Sequence, residues 1–172
     1  LIFELVSSYR EKGMNMKKIA IFVDVQNIYY TTRQEFNRQF NYKKLWQLIS
    51  EKGEIIAATA YAIDRGDQKQ INFQSALKNI GYSVKLKPYI QRSDGSAKGD
   101  WDVGIAIDVL DAAKNADIVV MLSGDGDFDL LLQKIRKEYS VYVEVYGVRS
   151  LTANTLIDSA DEFHEINEKL LL

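Results

Sequence analysis

The stretch Ser123-Gly124-Asp125-Gly126-Asp127-Phe128-Asp129 constrains this chain more than any other. It sets three carboxylates on alternate residues, directly after the apolar run Ile118-Val119-Val120-Met121-Leu122. That run reads as a buried strand, and a buried strand that opens into an acidic, glycine-loosened turn makes poor core. Two carboxylates about 4 Å apart repel by roughly 4 kcal/mol at an effective dielectric near about 20. Several such pairs weigh heavily on a domain whose whole stability is on the order of 5–15 kcal/mol. A divalent cation reverses the sign of that interaction, and Mg²⁺ or Mn²⁺ prefers hard oxygen donors of this kind. The competing reading is an acidic loop that caps the helix starting near Phe128. Gly124 and Gly126 are expected to let the backbone come close to a substrate.

Two further acids occupy comparable places. Asp24 closes the apolar run Ile19-Ala20-Ile21-Phe22-Val23, and Asn27 follows where a helix is expected to start. Asp24 either caps that helix or joins a metal site, with Asn27 beside it. The segment Lys98-Gly99-Asp100-Trp101-Asp102-Val103 opens another helix. A helix N-terminus favours a carboxylate by roughly 0.3–1 kcal/mol, so Asp100 or Asp102 would also serve as a simple cap. Lys98 adds a cation able to meet a phosphate. Asp108 lies about 120° around the helix from Asp102, as an outer acid or a local cap. Asp129 is expected to face solvent.

Around these motifs the chain alternates between strands and helices. Strands are expected at residues 19–23, 54–63, 82–91, 117–122 and 141–148, with a small terminal one at 162–166. Pro88 points the third strand to an edge of the sheet. Helices are expected at residues 28–40, 43–52, 68–80, 102–114, 128–139 and 152–159. Their inner sides are expected to carry Ile71, Phe73, Ala76, Leu77 and Ile80 in the third, and Leu130, Leu131, Leu132 and Ile135 in the fifth. The alternation implies a three-layer α/β/α fold with a mainly parallel central sheet. Such sheets bind ligands beyond the carboxyl ends of their strands, near the point where strand order reverses. If the strands ending at Asp24 and Leu122 are neighbours, their acids converge.

Composition narrows the chemistry. The chain has 172 residues, which suits one domain, expected over residues 17–172. Residues 1–16 read as an N-terminal extension or an expression remnant. There is no cysteine, and His164 is the only histidine. Thiolate catalysis, disulfides and multi-histidine metal sites are therefore excluded. The net charge of −2 argues against coating nucleic acid by bulk charge, yet leaves room for a local basic rim. No apolar run approaches the roughly 20 residues that span a bilayer, so no membrane partner is expected. With no secretory signal and no cysteine, the expected location is cytoplasmic. No lysine follows Gly124-Asp125-Gly126, and no dinucleotide fingerprint follows the first strand, so ATP or NAD use is not expected. A homo-oligomer is compatible with the sequence.

The segments Phe22-Val23-Asp24-Val25-Gln26-Asn27, Lys98-Gly99-Asp100-Trp101-Asp102-Val103 with Asp108, and Ser123-Gly124-Asp125-Gly126-Asp127-Phe128 together carry a family resemblance. Tyr146-Gly147-Val148, Leu156 and Ala160-Asp161-Glu162-Phe163 extend it. The chain resembles the NYN domain family of PIN-like ribonucleases, most closely the bacterial LabA-like branch. The resemblance implies a PIN-like, Rossmann-like sheet with a metal-dependent cleft at its carboxyl edge. Acids matching Asp24, Asp102, Asp125 and Asp127 form that cleft in the family, with the Asn27 position beside them. It implies Mg²⁺ or Mn²⁺ as cofactor and RNA, in single-stranded form, as substrate.

The expected reaction is hydrolysis of an RNA phosphodiester, with one or two divalent ions among Asp24, Asp102, Asp125 and Asp127. Ser123 and Asn27 would orient water or phosphate, and Lys98 would neutralise phosphate charge. Arg65, Arg92 and Arg149 are candidate phosphate contacts on loops. Tyr29, Tyr30 and Trp101 either stack on unpaired bases or pack in the core. The alternative is a non-catalytic RNA-binding or regulatory module on the same fold. A phosphatase with a strand-end aspartate nucleophile ranks below both, because Asp24-Val25-Gln26 lacks that arrangement's second aspartate.

Overall fold

The computed structural model describes residues 16–91, 93–94, 97–98 and 100–172. Strand β1 (Lys17–Asp24) lies at the centre of the sheet, and Ile19 to Val23 are all at most 2 % exposed. Such a run belongs where helices cover both faces. Helices α1 (Val25–Phe36) and α2 (Tyr42–Ser50) lead to β2 (Gly53–Asp64), and α3 (Gln68–Ile80) leads to β3 (Ser83–Pro88). A two-stranded antiparallel ribbon, β4 (Ile90–Gln91) with β5 (Ala97–Lys98), precedes α4 (Asp102–Ala113). The chain continues through β6 (Ile118–Leu122), α5 (Asp129–Tyr139), β7 (Tyr142–Gly147), α6 (Asn154–Asp158) and β8 (Glu162–Glu165).

The main sheet runs in the order β3-β2-β1-β6-β7-β8, and every neighbouring pair is parallel. From β1 the chain builds outward to β3, then returns to the other side of β1 and builds outward again. Right-handed crossovers require the covering helices to change face at that return. They do: Ile28, Leu45, Ile49 and Leu77 pack on one face, with Ile19, Ile21 and Val23 of β1. Ile105, Val109, Leu132, Ile135 and Leu156 pack on the other, with Ala20 and Phe22. This is the three-layer, PIN-like arrangement expected, and Pro88 does lie in an edge strand.

Several boundaries differ from the sequence reading. The first helix starts at Val25 rather than residue 28, because Asp24 is its N-cap, and it stops at Phe36 before left-handed Asn37. Phe40 instead bridges to Leu171. The third strand breaks at Pro88, and Ile90 and Gln91 turn into the small ribbon. On α3, Gln74 and Leu77 are buried, whereas Ile71 is 47 % exposed and Ala76 is exposed. On α5, Leu132 and Ile135 are buried but Leu130 is 72 % exposed, since it lies about 200° around the helix from Leu132. Residues 1–15 and Arg92, assigned above to an extension and to a phosphate contact, lie outside the described residues.

Candidate metal centre

The reversal of strand order falls between β1 and β6, whose carboxyl ends stand side by side, Val23 pairing with Leu122. The next residue on each strand is Asp24 and Ser123. Ser123 is fully buried and donates its hydroxyl to Asp24 Oδ2 at 3.0 Å. The same Ser123 oxygen accepts the backbone N–H of Asp125 at 3.1 Å, which turns the Asp125 segment back toward β1. Asp24 Oδ1 also accepts the N–H of Asn27, capping α1 at 3.4 Å. Asn27 Oδ1 in turn accepts the N–H of Gly124 at 2.8 Å. The cap and the site are thus one group.

Asp102 arrives from a third element, as the first residue of α4. Its N–H donates to Asp100 Oδ1 at 3.2 Å. Asp24, Asp102 and Asp125 each offer a carboxylate oxygen, and these oxygens lie within 4.8 Å of one another. Asp127 stands exposed at the edge of this trio, its N–H on Asp125 Oδ1 at 2.9 Å. Among the described residues, no lysine, arginine or histidine forms an ion pair with any of these acids.

Burial first, and then the neighbouring acids, raise two of these carboxyls. Burial pushes the Asp24 carboxyl upward, and Asp125 and Asp100 add to it, against hydrogen bonds from Ser123 and Asn27. Asp102 is pushed up to about 6, first by burial and then by Asp125, Asp100, Asp24 and Asp127. The donor set is all hard oxygen, convergent and short of positive charge. That chemistry fits Mg²⁺ or Mn²⁺.

The acids open into a cleft of about 430 Å³, walled by Asn27, Tyr30 and Thr31 on one side and by Tyr61, Ile63, Asp100 and Trp101 on the other. Asp100 is a cleft residue that the sequence reading treated only as a possible cap. Its signal was present, because Asp100-Trp101-Asp102 repeats the alternate-carboxylate spacing of Asp125-Gly126-Asp127. Tyr30 is 50 % exposed on the cleft wall, with Tyr29 edge-on at 5.4 Å. Trp101 is packed: its N–H donates to the Ala62 carbonyl at 2.9 Å and its ring meets Tyr61 at 5.3 Å.

Other sequence-named residues fall elsewhere. Arg149 is exposed on the 3-10 turn Arg149–Leu151 after β7 and does not line the cleft. Lys98 lies in β5, and its side chain is outside the described structure. Asp108 Oδ2 accepts the Tyr61 hydroxyl at 2.7 Å and Lys85 Nζ at 2.6 Å. Burial alone would raise the Asp108 carboxyl, but those two donors hold it below its usual range. Asp129 is half-buried, its carboxylate on the N–H of Leu130. Gly124 and Gly126 face the protein and not a substrate. A Cβ on Gly124 would sit 2.7 Å from the Leu151 carbonyl oxygen, and one on Gly126 would sit 2.9 Å from Ala153 Cβ. The acidic turn is loose in sequence because it docks tightly on residues 151–155.

The chain is similar to known proteins over most of its length. A family model described as "NYN domain" matches residues 18–167. The chain is 26 % identical to the Low amplitude and bright protein LabA of Synechococcus elongatus, over 88 % of this chain and 84 % of that protein. The crystal structure of a Vibrio parahaemolyticus protein of unknown function superposes with a TM-score of 0.87 at 50 % identity. That match covers 91 % of this chain and 97 % of the other. Among the described residues, no helix is long and apolar enough to cross a membrane.

Proposed function

The chain belongs to the NYN domain family, and from that premise we propose that it is a metal-dependent ribonuclease hydrolysing phosphodiester bonds of single-stranded RNA. The observation that carries the reading is the convergence of Asp24, Asp102 and Asp125 at the strand-order reversal, with no ion-paired cation on them among the described residues. Asp24, Asp102 and Asp125 would hold Mg²⁺ or Mn²⁺, with Asp127 at the open edge. Such an ion, when bound, offsets phosphate charge and lowers the pKa of water.

The chain's own residues supply order. The Ser123 hydroxyl and the Asn27 N–H hold Asp24 in one orientation. Asn27 fixes the Gly124 turn, and so the approach of Asp125. The cleft lies in the size range of small-ligand pockets, enough for a nucleotide. Tyr30 offers an aromatic face to a base that is free of its complementary strand. Lys98 remains a candidate phosphate contact, as does Arg149, which does not line the cleft.

Cleavage of a single-stranded RNA in Mn²⁺, compared between parent and Asp125→Asn, tests this directly. The parent is expected to cut and the variant to lose roughly 100-fold or more, as removal of about 3 kcal/mol of charge stabilisation implies. Equal cleavage by both removes the proposed site. Retention of RNA by both without cleavage favours the non-catalytic module.

A further inference from the structure

The acidic cleft has a basic and aromatic flank. Lys87, in β3, holds Nζ 4.5 Å from the Trp101 ring centroid and donates to the Asp100 carbonyl at 3.1 Å. Two residues on, Tyr89 leaves the sheet with its N–H on the Asp64 carbonyl at 3.2 Å and its side chain 42 % exposed. The guanidinium of Arg65 lies 5.2 Å from the Tyr89 ring centroid. Ile63 pairs with Lys87 and Asp64 with Pro88, so all three residues stand at the carboxyl ends of β2 and β3. Asp24 stands at the same edge of the same sheet. Ile63 and Trp101 wall the cleft, so the ridge begins where the cleft ends.

The cations of this ridge meet a carbonyl and aromatic rings, and among the described residues neither pairs with a carboxylate. Lys85, on the same strand, is spent on Asp108 at 2.6 Å. Lys87 and Arg65 form no ion pair among the described residues. A cleft rich in carboxylates repels a polyanion unless cations stand beside it. Two available cations flanking an open aromatic ring match what a single strand offers, with phosphates for the cations and bases for the ring. The Arg65 contact also holds the ring in place before a base arrives, which lowers the entropy lost on stacking.

We infer that Lys87, Tyr89 and Arg65 form a positioning subsite for the nucleic-acid strand as it runs from the acidic cleft across β2 and β3. A base stacks on the Tyr89 face away from Arg65, and the neighbouring phosphates meet Lys87 and Arg65. The subsite rests on the ribonuclease reading only for the identity of the strand as RNA.

Binding in EDTA separates the subsite from catalysis. The full chain is titrated into a labelled single-stranded oligoribonucleotide of about ten nucleotides, within the span typical of single-strand binders. Tyr89→Ala is expected to weaken binding roughly tenfold and Tyr89→Phe to keep parental affinity, as loss and retention of one stacked base would give. Arg65→Gln and Lys87→Gln are each expected to weaken binding and to shallow its salt dependence by about one phosphate contact. Tyr139→Ala, at another exposed tyrosine, is the control and keeps parental affinity. In Mn²⁺, Tyr89→Ala raises KM and leaves kcat, whereas Asp125→Asn removes kcat while binding in EDTA persists. Parental affinity in the three ridge variants, an equal loss in the control, or no binding by the parent overturns the subsite. Affinity losses as described in a parent that does not cut RNA uphold the subsite and overturn the ribonuclease. Should Tyr89→Ala fail to fold, the variants at exposed Arg65 and half-buried Lys87 decide.

Discussion

Asn27 accepts the backbone N–H of Gly124 on its side-chain oxygen at 2.8 Å. That bond joins the first turn of α1 to the turn after β6, across a separation of 97 residues. The Asn27 backbone donates to Asp24 Oδ1 as well. One residue therefore ties together the ends of both strands that lead into the acids, and it lines the cleft.

Removing this tie has a calculable effect. Asn27→Ala leaves the Gly124 N–H without its acceptor in a half-buried place, at a cost of about 1–3 kcal/mol. Positioning partners of this kind typically change metal affinity about 10- to 100-fold. Asn27→Ala is expected to unfold at lower urea and to bind Mn²⁺ at least about tenfold more weakly. Calorimetric titration that returns the parental Mn²⁺ affinity would show that the turn holds Asp125 without Asn27.

Asp102 gives a pH dependence with a defined sign. Its folded carboxyl is pushed up to about 6, against 3.8 for an unperturbed aspartate. Between those values the folded chain binds more protons than the unfolded chain, so this residue's contribution to stability falls as pH rises. Above about pH 6 the ionised Asp102 is a standing cost, reduced by solvent screening to on the order of 1 kcal/mol. In EDTA near neutral pH, Asp102→Asn is therefore expected to be more stable than the parent by that amount. The advantage disappears below about pH 4, and Mn²⁺ stabilises the parent selectively. Urea unfolding across this range, with and without metal, reads all three. A variant less stable than the parent in EDTA would mean that Asp102 is compensated by the protein.

The acids and their chemistry were legible because charge at the end of an apolar strand is costly wherever it occurs. The meeting of Asp24 with Asp125 was legible from residue spacing only as a condition, because it depends on β1 and β6 becoming neighbours when the chain turns back. That reversal is a property of strand order, which residue spacing does not encode; crossover handedness then only fixes which face each helix covers. Asp100 was hidden by its second role at a helix start. Trp101 reads as either a base-stacking or a packing aromatic, and Tyr61 with the Ala62 carbonyl decides for packing. Leu130, Leu131 and Leu132 are alike in sequence, and only the helix phase sends Leu132 inward and Leu130 out.

Gly124 illustrates how the acidic turn is held. It has no left-handed backbone, so the reason for glycine is space: a methyl group would stand 2.7 Å from the Leu151 carbonyl oxygen and 3.1 Å from Thr152 Oγ1. The Ala153 N–H donates to the Gly124 carbonyl at 3.1 Å, so the two segments cannot separate freely. Gly124→Ala is expected to cost about 1–3 kcal/mol and to displace Asp125. Thermal unfolding and Mn²⁺ titration check the two effects separately. Parental stability in this variant would mean that the 151–155 segment yields easily.

Glu144 carries a second group of titratable side chains, and its role is structural. It is 2 % exposed on β7, and its Oε1 accepts Lys52 Nζ at 2.6 Å and lies 2.6 Å from His164 Nε2. Burial alone would raise its carboxyl, but His164 and Lys52 hold it below the usual range. Glu144, Glu162 and His164 bring ligand atoms within 4.8 Å, yet Lys52 already supplies the positive charge that a metal would bring. Because the folded carboxyl is depressed, its stabilisation is complete above the unfolded value of 4.5 and is lost as pH falls through the folded one. Glu144→Gln is expected to cost roughly 3 kcal/mol near neutral pH, and less as pH drops below about 4. Urea unfolding at the two pH values measures both. A variant that keeps parental stability but binds fewer Mn²⁺ ions would make this cluster a metal site instead.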